Sequence, residues 1–298
     1  MRQQRTSPAR GADSPEVAGF YEPDTGSVQY VVSDPASKQA AIIDAVWNFD
    51  PHSARTSTES ADDILGYVRA RGLAVQWIID THPHADHFMA GAYLKQKLKA
   101  PQAIGEKVRE VAELWRGFYH LPRAFDLGTA FDRLFADGET FKLGALEVRV
   151  MLSPGHTLAS ITFLVGADAA FVHDTLMQPD SGTSRADFPG GDAATLYRSI
   201  QAILALPAPT RLFVGHDYRH GGREPEWEST VAEQKAGNIH VKDGTSEAEF
   251  VKLRNGRDKT LPLPDRMLHA LQVNLRGGRL PEPESDGHSY LKIPANRF

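Results

Sequence analysis

The octapeptide Asp80-Thr81-His82-Pro83-His84-Ala85-Asp86-His87 gathers three histidines and the carboxylate of Asp86 into its last six residues. It follows Val75–Ile79, a mostly apolar run that reads as a buried strand. Side chains at strand ends and on the loops beyond them can converge on one ion. Imidazole with carboxylate is ligand chemistry for zinc, iron or manganese. A lone histidine more often fills an ordinary core or surface position; spacing and context together make this stretch a metal motif.

Three further positions repeat the pattern of a His or Asp closing an apolar run. They are His156 in Ser153-Pro154-Gly155-His156-Thr157, Asp174 in Phe171-Val172-His173-Asp174-Thr175, and His216 in Phe213-Val214-Gly215-His216-Asp217. Gly155 and Gly215 would let the backbone turn sharply and bring the next imidazole inward.

The 298 residues suffice for one large α/β domain or two small ones. A net charge of −5 with both signs interspersed argues against nucleic acid as a partner. Cysteine is absent, which excludes disulfides, zinc–thiolate sites, iron–sulfur clusters, a cysteine nucleophile and a fused sulfur-carrying activity. No apolar stretch approaches the roughly 20 residues of a membrane helix, so no membrane partner is expected. Residues 1–16 read as a disordered leader on a cytoplasmic protein, ahead of a single domain over 17–298. An organelle transit peptide is the alternative for the Arg-bearing, acid-poor start.

Along that domain, Val28–Val32 and Ala40–Ala45 read as strands around the turn Ser33-Asp34-Pro35, with Asp44 at a strand end. Ser60–Arg71 reads as a helix capped by Ser60 and ended by Gly72. His87–Leu98 and Glu106–Tyr119 read as helices, which would set Asp86 and His87 at a helix N-terminus. Strands are expected at Phe141–Leu143, Leu146–Leu152, Ser160–Val165, Ala169–Val172 and Arg211–Val214. A helix is expected over Leu196–Leu206, and a helical extension around Glu247–Leu253 and Arg266–Leu271 precedes a Pro- and Gly-rich tail. The order shows no run of parallel βαβ units and suits two face-to-face sheets with helices outside, a four-layer α/β/β/α sandwich.

The His-x-His-x-Asp-His signature at 82–87, with His156, Asp174 and His216 following in order, resembles the metallo-β-lactamase superfamily from about Phe20 onward. Its members include hydrolases, nucleases, flavin reductases and dioxygenases, so fold alone does not name the reaction. The segment Gly182-Thr183-Ser184-Arg185-Ala186-Asp187-Phe188, the triplet His216-Asp217-Tyr218 and the run Asn274-Leu275-Arg276-Gly277-Gly278 are similar to persulfide dioxygenases. The loop at Pro179-Asp180, the Phe188–Asp192 ending and the tail Tyr290–Pro294 look closest to the bacterial β-lactamase-hydrolase-like branch. In many relatives a glycine precedes the bridging Asp; here it is His173, expected to point away into the opposite face.

This resemblance implies one Fe(II) per chain held by His82, His156 and Asp174, oxidising glutathione persulfide with O2 to sulfite and glutathione. His84, Asp86, His87 and His216 would then surround the ligands, with His84 and Asp86 the ones that matter to catalysis. Arg185, Tyr218 and Arg276 are the candidate substrate contacts, although Arg185 pairing with Asp187 is at least as natural; Lys252 reads as a solvated surface residue. The rival reading uses the same side chains for two Zn(II) ions. His82, His84 and His156 would hold one, Asp86, His87 and His216 the other, with Asp174 bridging and a hydroxide cleaving glutathione thioesters as in glyoxalase II. A metal-binding sulfur sensor without catalysis is the third class. Assembly as a homodimer stays open.

Overall fold

Strands buried on both faces build the centre, and their alternation assigns each side chain to a layer. In Val28–Ser33, Val28, Tyr30 and Val32 join the large cluster between the sheets, while Val31 turns to the helices outside. Ala41 and Ile43 repeat the first pattern; Ala40 and Ile42 repeat the second. The computed structural model describes residues 3–298 and arranges these strands in two main sheets.

The first sheet runs in spatial order β1 (Gln3–Ser7), β2 (Glu16–Tyr21), β3 (Val28–Ser33), β4 (Gln39–Ile43), β7 (Ala74–Ile79), β9 (Gln102–Gly105) and β10 (Arg133–Phe135). The second runs β11 (Thr140–Leu143), β12 (Leu146–Leu152), β13 (Ile161–Val165), β14 (Ala169–His173), β15 (Arg211–Val214) and β16 (Glu228–Thr230). A small third sheet joins β6 (Arg55–Ser57), β5 (Val46–Asp50) and β8 (Phe88–Met89). Between the main sheets Phe171 stacks on Phe213 at 5.0 Å, and Tyr30 meets both rings edge-on.

Helices α1 (Glu59–Arg71) and α2 (Gly91–Leu98) cover the first sheet through Ile64, Leu65, Val68 and Leu94. Helix α5 (Ala193–Leu204) packs Leu196, Ile200 and Ile203 into the main core beside the second sheet. Helices α3 (Val108–Tyr119) and α8 (Met267–Asn274) share a further cluster with the short α4 (Leu127–Ala130). Helices α6 (Val231–Gly237) and α7 (Glu247–Asp258) complete the chain's helical part, and both start on a capping box. The α/β/β/α sandwich is therefore present.

Three local expectations are corrected. First, β4, β7, β9 and β10 do run parallel, linked across α1, α2 and α3–α4; β9 and β10 are only four and three residues long, too short for a periodic signal. Second, the start expected to be disordered is ordered among the described residues: β1 pairs with β2 from Gln3 to Ser7. Arg211, wholly buried, donates to the carbonyls of Pro8 and Pro15 and to Ser14 while its fork holds Asp168. Met1 and Arg2 lie outside the described residues. Third, the helix expected from His87 starts at Gly91, because Phe88 and Met89 first pair with β5. Among the described residues no helix is long and apolar enough to cross a membrane.

Candidate metal centre

At one edge of the sandwich the turns after β7, β12, β14 and β15 meet, and main-chain bonds zip the two sheets together there. Val28 N–H donates to Gly215 O at 2.8 Å, Asp217 N–H to Gly26 O at 2.9 Å, and Ser27 bridges to His216. Glycine serves two different needs at the ligand turns. Gly155 has φ of 125°, and a Cβ there would strike Leu196 N at 2.2 Å. Gly215 is required for space alone, since its Cβ would come within 2.6 Å of Asp174 Oδ1.

His82, His156 and Asp174, all buried, turn their ligand atoms toward one another. His82 Nε2 and His156 Nε2 lie 3.6 and 3.5 Å from Asp174 Oδ2. His82 Nε2 is buried with no hydrogen-bond partner, the state of a nitrogen whose lone pair awaits an ion. Burial holds both imidazoles below their ordinary pKa, helped for His82 by the neighbouring His84, so each is neutral and can donate a lone pair. Two imidazoles and one carboxylate facing a common point form a metal-binding cluster.

The far side of each ligand is held by second partners. His156 Nδ1 bonds Arg185 O at 2.8 Å. Thr81 Oγ1 lies 3.1 Å from His82 Nδ1 and donates to Asp44 Oδ2 at 2.8 Å. Asp44, in the left-handed region at φ 53°, also accepts from Thr81 N–H at 2.7 Å and pairs with His84 Nε2 at 3.1 Å. Burial opposes charge on His84, but Asp44 outweighs it and pushes the imidazole up to about 9. His84 has no surface on the cleft described below, whereas Asp86 faces it.

Asp86 Oδ2 accepts from Ser27 Oγ at 2.8 Å and lies 2.8 Å from His87 Nδ1 and 2.7 Å from His216 Nε2. His216 Nδ1 meets Asp174 Oδ1, so this ring spans two carboxylates. Burial works against its charge, yet Asp174 and Asp86 raise its pKa well above the ordinary value. The same contact lowers Asp174 against its own burial.

His173 does not point away. It lies with φ of 42°, its ring 4.9 Å from that of His82, and its Nε2 bonds Thr175 Oγ1 at 2.9 Å. The departure from glycine therefore adds a packed imidazole against a ligand.

A cleft of 570 Å³ opens over His156 and Asp174, lined also by Asp86, Phe188, Tyr218 and the α7 side. Tyr218 lines the cleft and stacks on His216 at 5.6 Å and 17°. Arg185 reaches the cleft, but its donors go to Asp187, in a fork of 2.6 and 2.8 Å, and to Pro262 O at 2.6 Å. Arg276 is not in the cleft; it donates to Gln272 O and covers the Phe125 ring at 4.8 Å. Its neighbour Asn274 is the residue of that segment that touches the centre. Asn274 Nδ2 donates to His84 O at 2.8 Å and His87 O at 2.9 Å, while Oδ1 accepts from Met89 N–H at 2.8 Å. Ser27 and Thr81 carry no sequence signal beyond their place beside β3 and inside the opening motif.

Comparison with known proteins agrees with this geometry. The profile of the metallo-β-lactamase superfamily matches residues 23–216. A "Beta-lactamase hydrolase-like protein" of Xylella fastidiosa is 59% identical over 95% of this chain and 65% of its own, so this chain spans less than two thirds of that relative. "Glyoxylase B2" of Dictyostelium discoideum is 42% identical over 93% of this chain and 96% of its own. The human mitochondrial persulfide dioxygenase ETHE1 is 28% identical over 87% of each chain. Among solved structures, ETHE1 from Myxococcus xanthus superposes with a TM-score of 0.70 at 26% identity, covering 88% of this chain and 98% of its own.

Proposed function

The chain belongs to the metallo-β-lactamase superfamily of metal-dependent enzymes, and we propose that it is a non-haem iron persulfide dioxygenase. The reaction takes glutathione persulfide, O2 and water to glutathione and sulfite. The S–S bond breaks, the outer sulfur is oxidised, O2 supplies two oxygens and water the third.

One observation carries this reading. Both ring nitrogens of His216 are engaged by carboxylates, and Ser27 Oγ closes the third corner around Asp86. The half of the site that a second ion would occupy also converges, but its Asp86, Asp174 and His216 are tied by hydrogen bonds, whereas His82 and His156 meet Asp174 at 3.6 and 3.5 Å with no hydrogen bond among the three. Two histidines and one carboxylate on one face are the ligand set of O2-using ferrous enzymes. His82, His156 and Asp174 would hold a ferrous ion, which would supply the redox chemistry that O2 needs. The protein's own part is to keep His82 and His156 neutral, hold Asp174 ionised beside the His216 cation, and wall the cleft with Phe188 and Tyr218.

A dinuclear zinc thioesterase is favoured by a different observation: His84 Nδ1 and His87 Nε2 are buried without hydrogen-bond partners, as metal-facing nitrogens would be. The two readings separate by experiment. Metal content of protein from unsupplemented cells, with oxygen uptake on glutathione persulfide, should give about one iron per chain and O2 consumption. Two zinc ions, no oxygen uptake and cleavage of S-lactoylglutathione would overturn the dioxygenase.

A further inference from the structure

The cleft has arginines but almost no free positive charge, and that contrast singles out one side chain. Three arginines line it: Arg185, Arg254 and Arg257. Arg185 is consumed by Asp187 and Pro262 O. Arg254, buried, gives Nε and Nη2 to Asp258 at 2.8 and 2.6 Å and Nη1 to Thr183 O at 3.0 Å. Arg257 is exposed, and among the described residues its guanidinium makes no hydrogen bond or ion pair.

Arg257 is also held on a rigid support. It lies in the last turn of α7, between Arg254 and Asp258. Asp258 Oδ2 accepts from Ala186 N–H at 2.9 Å, so this end of the helix is knotted to the segment whose Arg185 carbonyl fixes His156. A cation mounted on such an element keeps its place relative to the metal ligands, which a loop would not ensure. The rim around it is apolar: Tyr218, Ile239, Leu261 and Leu263 line the cleft and are four of the seven large hydrophobics exposed in the described chain. Carboxylates of Asp86 and Asp174 stand at the inner end. The cleft thus suits an organic thiol compound with its sulfur inward and an anionic group outward.

We propose that Arg257 is the specificity-determining residue that anchors a carboxylate of the substrate at the outer end of this cleft. The assignment rests on the reading of the substrate as a glutathione derivative, and it gives Arg185 a positioning role instead. A guanidinium with all five donors unclaimed can take a carboxylate bidentately without breaking an existing pair.

The test is calorimetric titration of the metal-containing protein with glutathione and with glutathione diethyl ester, which lacks both carboxylates. Arg257→Ala should weaken glutathione binding about tenfold or more and leave ester binding where it stands, with Arg257→Lys in between. Lys259→Ala, which changes charge at the same helix end outside the cleft, should bind glutathione like the parent protein. Unchanged glutathione affinity in Arg257→Ala, equal losses for acid and ester, or a parent protein that does not bind glutathione would each overturn the assignment. Oxygen uptake is scored separately: glutathione binding through Arg257 without O2 consumption would sink the dioxygenase and leave the anchor standing.

Discussion

Replacing Asn274 by alanine should loosen the metal loop from behind. The side chain is wholly buried and makes three bonds: two donated to His84 O and His87 O, one accepted from Met89 N–H. Each is worth about 1 kcal/mol net, and alanine leaves three buried backbone groups unpaired, so the expected loss is about 3–4 kcal/mol. Because the freed carbonyls flank Asp86 in the same turn as the ligand His82, metal affinity should also fall about 10–100-fold. Asn274→Asp is the sharper variant. It keeps an acceptor for Met89 but sets carboxylate oxygen against two carbonyls, so it should be at least as damaging as alanine. Urea unfolding of metal-free protein reads the first effect and competition with a chelator reads the second. An alanine variant within about 0.5 kcal/mol of the parent, or an aspartate variant more stable than the alanine one, would refute the argument.

Other substitutions probe other links. His82→Ala, His156→Ala and Asp174→Ala should each abolish iron binding, while His216→Ala keeps most of it; elemental analysis distinguishes these outcomes from the loss of one of two zinc ions. At His173, whose φ is 42°, glycine should be more stable than alanine by about 1 kcal/mol in chemical denaturation, the reverse of the order in an ordinary strand. Arg211→Ala should cost about 3 kcal/mol or more, since it strands Asp168 and releases the carbonyls of Pro8 and Pro15. His240 supplies a pH signature: burial, aided by the Arg254 guanidinium, holds its pKa down at about 4. Between the ordinary value of 6.5 and 4 the unfolded chain takes up a proton that the folded one refuses, so stability falls on acidification through that window. His240→Gln should show a shallower decline than the parent over the same range in paired urea titrations.

The ligand positions were legible because each ends an apolar run, and the sandwich was legible because its inner strands alternate between two buried faces. What failed to show was set by partners distant in sequence. Glu16–Tyr21 contains Gly19, a weak strand former, yet Trp227 occupies the space a Cβ would need, 2.2 Å away. The chain before it looks polar and solvated, but Arg211 and β2 recruit it. In Asn274-Leu275-Arg276 the charged residue drew attention as a substrate contact, whereas the amide does the holding, because buried carbonyls need donors and no local pattern announces which loop presents them. Arg185 paired at home with Asp187, two residues on, as its spacing allowed. Arg257 left no mark at all: whether a guanidinium is free depends on every neighbour it does not have.

The zipped edge between the sheets has one further consequence. His82 comes from the first sheet, whereas His156 and Asp174 come from turns of the second. An ion shared between them is a rivet through two leaves, with Val28 and Gly215 as the clasp beside it. Loss of the ion removes the rivet but leaves the clasp, so the leaves should part first at this edge. Amide exchange at Val28 then becomes a gauge of occupancy, read on the backbone several bonds away from any ligand.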